Sequence, residues 1–250
     1  MTTGTTPEGV TGEEAASRWV RGMFGRVAAR YDLLNHLLSF NLDRSWRART
    51  VERVEDVLAR PGAKALDLCC GTGDVLLSLA ARGGAAAVYG SDFCHPMLIE
   101  AQRKISSRRL CSPLFDSKLF EADALALPLA SSSLDLITIA FGFRNLANYS
   151  SGLTELARVL KPGGVLAILE FSQPTNRPFA ALYGFFSARV LPWIGGIISG
   201  SRDAYSYLPE SIRKFPGAED LARQIRAAGF ATVDFERLTF GAVALHIAKK

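Results

Sequence analysis

Hydrophobic and polar positions along this chain alternate between two periods. Five short, mostly apolar runs read as buried strands: "AKALDLCC", "AAVYGSD", "SKLFEAD", "LDLITIAF" and "GGVLAILEFS". Between them, "GDVLLSLAARGG", "HPMLIEAQRKISSR" and "YSSGLTELARVL" carry helical spacing, the first closing on glycine. Upstream, residues 13–60 read as helical throughout, with Val20, Phe24, Val27, Tyr31 and Leu34 on one apolar stripe. Downstream, "AEDLARQIRAAGF" reads as a helix, and "ATVDFERLTFGAVALHIAKK" as two strands around a glycine-containing turn. This order predicts an α/β fold. A doubly wound, mostly parallel sheet is preceded by N-terminal helices and completed by a C-terminal antiparallel strand pair.

One segment breaks the alternation. Pro178 to Gly200 is 23 residues long with Arg189 as its only charge, close to the length of a membrane span. Pro192, the interior glycines and the central arginine favour a hydrophobic lid or an element dipping into a bilayer interface. The predicted organisation is a disordered polar tail over 1–17 and a single domain over 18–250, with helical lid segments at 18–60 and 174–210.

Composition changes the picture in three places. No basic stretch precedes an apolar core at the start, so no signal peptide is read. Cys69, Cys70, Cys94 and Cys111 form no C-x-x-C pair, and His36, His95 and His246 are scattered; the expectation is a reduced, cytoplasmic protein without a metal site. The formal net charge is +5. From Arg18 to Arg60, nine arginines face five acids, which suits a solvated helical surface, a nucleic acid or an anionic membrane face.

The chemistry concentrates at strand ends. In "ALDLCCGTGD" a glycine-rich turn, Gly71 to Gly73, sits between strand and helix, where a ligand can approach the backbone closely. A dinucleotide fingerprint fails because Leu76 stands at its last position, no phosphate-loop lysine follows, and Asp67 before the turn would repel a pyrophosphate. Asp92 ends the second strand, 19 residues after Gly73, where a carboxylate can accept hydrogen bonds from ribose hydroxyls. Asp123 ends the third strand, placed for an adenine amino group, with the Ala124 backbone N–H beside it for a ring nitrogen. Three acidic strand ends describe a pocket for an adenosine bearing a positive tail, as in S-adenosylmethionine. At the end of the fourth strand, "AFGFRNL" sets Arg144 and Asn145 side by side, at the edge where open α/β sheets bind ligands.

These residues carry a resemblance. "ARYDLLNHLLSFNLDRSWR", "LDLCCGTGD", "RVLKPGGVLAILEFSQP" and "SRDAYSYLPESIRKFP" resemble the ubiquinone/menaquinone biosynthesis C-methyltransferase family, within the Rossmann-like class I S-adenosylmethionine-dependent methyltransferases. The match runs over roughly residues 18–250. It implies cofactor contacts at Thr72, Asp92, Asp123 and Ala124. The chain departs from the family at Leu34, where methionine is usual, at Asp43, where histidine is usual, and at Ala140, where some relatives carry serine.

The resemblance further implies methylation of a ring carbon of a prenylated quinol, most simply demethylmenaquinol to menaquinol. The alternatives are a ubiquinone-precursor benzoquinol and, from another class, an RNA methyltransferase. The latter would call for a denser basic groove with stacking aromatics, so no nucleic-acid partner is expected. An aromatic carbon becomes nucleophilic when the neighbouring hydroxyl ionises, and a phenol has a pKa of about 10. Arg144 is then expected to stabilise the phenolate, and Asn145 to orient the ring oxygen or a water that takes the proton. The apolar segment and the basic N-terminal face suggest peripheral contact with the inner face of the cell membrane, and a homodimer is compatible with the sequence.

Overall fold

The computed structural model describes residues 4–82, 86–107, 118–176, 178–179, 184 and 202–250, without the side chains of Leu34, Leu38 and residues 202–206. Helices α1 (Glu13–Val27), α2 (Tyr31–Leu38), α3 (Leu42–Arg53) and α4 (Glu55–Leu58) precede the sheet. The helical reading over 13–60 resolves into these separate helices. A 3-10 turn spans Ala28–Arg30, and Phe40 and Asn41 take left-handed backbone angles, φ 53° and 59°, between α2 and α3. Such angles cannot continue a right-handed helix.

Strands β1 (Lys64–Leu68), β2 (Ala87–Asp92), β3 (Lys118–Glu121), β4 (Leu134–Ala140) and β5 (Leu160–Phe171) run parallel, with α5 (Asp74–Arg82), α6 (His95–Ser107) and α7 (Tyr149–Val159) among them. After α8 (Arg202–Lys214) and α9 (Ala218–Ala227) come β6 (Thr232–Leu238) and β7 (Val243–Lys249). The seven strands are ordered β3-β2-β1-β4-β5-β7-β6, and β7 is antiparallel to both neighbours. The C-terminal antiparallel pair is as expected, with β7 inserted between β5 and β6.

Side chains alternate across the strands and so feed two apolar layers. Leu66, Leu68, Ile137, Ile139, Leu166 and Ile168 pack on one face against Leu153 and Leu156 of α7 and Leu221 and Ile225 of α9. Ala65, Val88, Leu136, Val165 and Ala167 pack on the other against Val57, Leu58, Val75, Leu76 and Leu79. Both faces of β1, β4 and β5 are covered, which is why their sequences read as continuous apolar runs.

The expected disordered tail over 1–17 is corrected at its boundary: α1 starts at Glu13, and Thr5 is buried with its N–H bonded to the Leu146 carbonyl at 2.8 Å. A Cβ added to Gly4 would lie 1.8 Å from the Ala147 carbonyl oxygen, so the strand of chain at residues 4–6 is seated closely on the loop after β4. Among the described residues, no helix is long and apolar enough to cross a membrane. Most of the apolar stretch 178–200, the glycine end of α5 and Cys111 lie outside the described residues.

Candidate functional site

A cleft opens at the carboxyl ends of β1, β2, β3 and β4, walled on its outer side by α1, α2 and the start of α6. Its lining includes Phe24, Tyr31, Gly71, Asp92, Phe93, Met97, Asp123, Ala124, Leu125, Phe141 and Asn145. It is a concave space of about 670 Å³, counting space open to solvent.

The turn after β1 is shaped by left-handed residues: Cys69 at φ 54°, Gly71 at 54° and Gly73 at 86°. Gly73 also abuts α6, where an added Cβ would stand 3.3 Å from that of Ala101. Asp92 ties this turn to the next element. Its Oδ2 accepts the Gly71 N–H at 2.9 Å, and its Oδ1 accepts the Cys94 N–H at 2.9 Å. Burial pushes the Asp92 pKa up to about 6 against the pull of backbone N–H groups from Cys94, Gly71 and Phe93. Each carboxylate oxygen keeps a second lone-pair direction, which can take a ligand hydroxyl. Asp123 turns the chain after β3, its Oδ1 accepting the Leu125 N–H at 2.9 Å.

Five of the nine residues singled out from sequence line this cleft: Gly71, Asp92, Asp123, Ala124 and Asn145. Four do not. Asp67 lies under the turn, 1% exposed, with Oδ1 accepting from Thr138 Oγ1 at 2.8 Å; burial raises its pKa to about 7. The Thr72 hydroxyl donates to Asp32 and accepts from Lys104 Nζ at 3.0 Å, so its side chain is committed to protein partners. Gly73 serves the turn and its packing on α6.

Arg144 is the fourth. Its Nη1 donates to Glu170 Oε1 at 3.0 Å and to the Phe141 carbonyl at 2.5 Å, and its backbone N–H reaches Glu170 Oε2 at 3.1 Å. The guanidinium lies 5.2 Å from the centre of the Phe171 ring. The partner that the sequence did not announce is a carboxylate from the neighbouring strand β5, 1% exposed, which pairs with the guanidinium behind the cleft wall. The Arg144 charge still reaches the cleft. Burial raises the Tyr31 pKa, and the Asn35 side chain and the fields of Arg144 and Arg47 oppose that rise.

Helix α2 is fastened over the turn by a string of charges. Lys104 of α6 meets Asp32 at 2.5 Å and Asp74 at 2.6 Å. Arg47 pairs with Asp74 and, at 3.1 Å, with Asp43. Asp43 also takes His36 Nδ1 at 2.8 Å and the Ser39 hydroxyl at 2.7 Å. Burial pushes the Asp74 carboxyl up, but Arg47 and Lys104 outweigh it and hold it below its ordinary range.

Sequence reasoning passed over Phe93, Met97, Leu125 and Phe141 as wall residues, and took Phe24 and Tyr31 only as parts of a packing stripe. Phe93 directly follows Asp92, and Phe141 precedes the Arg-Asn pair by three positions; proximity to a strand end was the available signal. The arrangement offers two carboxylates for hydroxyl and amino donors, apolar side chains to sandwich a flat ring, and an amide at the far end.

A profile of the ubiE/COQ5 methyltransferase family matches residues 11–250. The chain belongs to that family. Its relatives include a demethylmenaquinone methyltransferase of Thermus thermophilus, 48% identical over 91% of this chain and the whole of that one. A ubiquinone/menaquinone biosynthesis C-methyltransferase of Cereibacter sphaeroides is 41% identical over 97% of this chain and 92% of that one. Among solved structures, a SAM-dependent methyltransferase from Aquifex aeolicus aligns with a TM-score of 0.57 at 21% identity, covering 80% of this chain and 88% of the other. The [4+2]-cyclase SpnF aligns with a TM-score of 0.67 at 19% identity, covering 94% and 96%. The class I methyltransferase fold is thus established from structure, and membership of a methyltransferase family from sequence. A cyclase on the same fold shows that architecture alone does not fix the reaction.

Proposed function

We propose that this methyltransferase uses S-adenosylmethionine to methylate a ring carbon of a prenylated quinol, converting demethylmenaquinol to menaquinol. The observation that carries the reading is the gathering of Asp92, Asp123 and Asn145 in one cleft. The residues present fit the donor: Asp92 suits the paired ribose hydroxyls, and Asp123 and the Ala124 N–H suit the adenine edge. Phe93, Met97 and Leu125 suit the faces of the adenine ring. Bound S-adenosylmethionine supplies an electrophilic methyl group. This chain supplies alignment of the methyl group with the ring carbon and stabilisation of the substrate oxygen as it ionises. Asn145 at the cleft wall is the direct donor to that oxygen, with the field of Arg144 adding to it from behind.

The lipid tail of the substrate gives a reason for the outer face of α2. Leu33 and Leu37 lie one turn apart, 61% and 46% exposed, beyond the Tyr31 face that lines the cleft. Exposed Arg30 and Arg44 flank them. An apolar stripe bordered by arginines suits peripheral contact with an anionic bilayer.

Purified protein given S-adenosylmethionine and demethylmenaquinol should yield menaquinol, followed by mass spectrometry. A benzoquinol precursor offered in parallel should be used less. The quinol reading fails if neither ring gains a methyl group under conditions where the Thermus relative transfers one. Asp92→Ala should weaken S-adenosylmethionine binding in calorimetry about ten- to a hundredfold, the loss expected for a charged hydrogen-bond partner.

A further inference from the structure

Asn145 is held by a chain of hydrogen bonds that begins near the other end of the sequence. Its Nδ2 lies 3.4 Å from the Phe141 carbonyl oxygen. A carbonyl only accepts, so the amide nitrogen faces that side and Oδ1 faces away. Oδ1 accepts from the Tyr207 hydroxyl at 2.9 Å. With its proton directed at Asn145, the Tyr207 oxygen is left to accept, and Thr5 Oγ1 stands 2.6 Å from it. The polarity then runs one way, from Thr5 to Tyr207 to Asn145, and ends on an amide nitrogen with a second N–H still to place.

Each member of this chain is fixed. Tyr207 of α8 is 4% exposed, and its ring lies 5.1 Å from that of Trp19. Thr5 is 6% exposed, anchored by its own N–H to Leu146. Lys214 Nζ donates to the Thr6 carbonyl at 2.9 Å, and Gly4 admits no side chain against Ala147. A buried hydroxyl that loses its partner is costly, so the three groups hold one arrangement together.

We propose that Tyr207 and Thr5 are positioning residues for methyl transfer. They hold the Asn145 amide in one orientation, its oxygen bound by the Tyr207 hydroxyl, so that its remaining N–H can donate to the oxygen of an ionising quinol. The inference rests on the function proposed above. It makes residues 4–6 part of the working site although none of them lines the cleft.

Tyr207→Phe deletes only the hydroxyl and keeps the ring packed on Trp19. In this variant kcat on the quinol should fall about three- to tenfold at neutral pH. KM for the quinol and the S-adenosylmethionine Kd should stay within about twofold. The deficit should shrink at higher pH, where the quinol ionises without help. Thr5→Val should behave like Tyr207→Phe, and Thr5→Ser like the parent. Because Tyr207 acts through Asn145, adding Tyr207→Phe to Asn145→Ala should cost nothing further. Wild-type kcat in Tyr207→Phe, or a double variant whose loss is the product of the two single losses, overturns the proposal.

A second measurement needs no substrate: the side-chain amide signals of Asn145 in nitrogen-proton NMR spectra. They should be well dispersed and slow to exchange in the parent, and shift and broaden in Tyr207→Phe. If no quinol is methylated, the proposed function fails, while unchanged amide signals in the variant overturn the positioning role by themselves.

Discussion

At the scale of single residues, burial decides what each polar group can do. Arg144 and Glu170 are 5% and 1% exposed and face each other at 3.0 Å. Removing one member of such a pair strands the other charge away from water, at about 3–5 kcal/mol. Arg144→Met should therefore lower stability by that order in denaturant titrations, and its loss of turnover would reflect lost structure as much as lost chemistry. Arg144→Met combined with Glu170→Gln should recover part of the stability, since glutamine leaves no unpaired charge and its carbonyl oxygen can still accept the Arg144 backbone N–H. Asp67 gives a pH dependence. Its pKa rises from the ordinary 3.8 to about 7 on folding because burial opposes its ionisation. The folded state therefore holds the proton more tightly than the unfolded chain. The stability this contributes is fully present below about pH 4 and is lost as pH rises to about 7. Thermal melts should show wild type losing stability relative to Asp67→Asn between about pH 4 and about pH 7. Parallel curves would mean that Asp67 ionises without penalty.

Among the elements, α2 is the piece whose attachment matters most to the cleft, because it brings Tyr31 to the wall while Asp32 ties it to the turn after β1. The Asp32–Lys104 pair is 23–30% exposed, so by itself it is worth no more than about 1 kcal/mol. Asp32→Asn should accordingly leave global stability nearly unchanged yet increase hydrogen exchange across Tyr31–Leu38 several-fold. An unaltered exchange pattern would show that apolar packing alone holds the helix. This interlocking also explains what could be read from sequence. The parallel strands were legible because strands covered on both faces are continuous apolar runs. Asp92 and Asp123 were legible because a strand end fixes where its last carboxylate points. The partners of Thr72, Asp67 and Arg144 were not legible because Asp32, Thr138 and Glu170 lie 40, 71 and 26 residues away. No local pattern announces them. Where the helices of residues 13–60 divide was not legible because Phe40, an apolar residue that fits a helical pattern, sits at φ 53°.

For the whole molecule, the consequential arrangement is the position of the last strand. β7 pairs with β5 over Val165 to Phe171 and with β6 over Thr232 to Leu238, and the end of the chain is fastened further by bonds between Lys250 and residues 163 and 164. Deleting residues 243–250 should give insoluble protein, because it leaves β5 and β6 with unpaired edges. Deleting residues 1–12 should leave a folded, soluble protein with reduced turnover and a melting temperature lowered by several degrees, because Tyr207 and the Leu146 carbonyl lose their partners. Comparison of soluble yields separates the two cases; equal yields would show that the sheet closes without β7. During synthesis, the chain emerges from its amino end at about 5–20 residues per second. The five parallel strands can assemble as they appear, but β6 has only β7 beside it and must wait. The nascent protein therefore carries a bare β5 edge until β7 has emerged, and the sheet is completed last on that side.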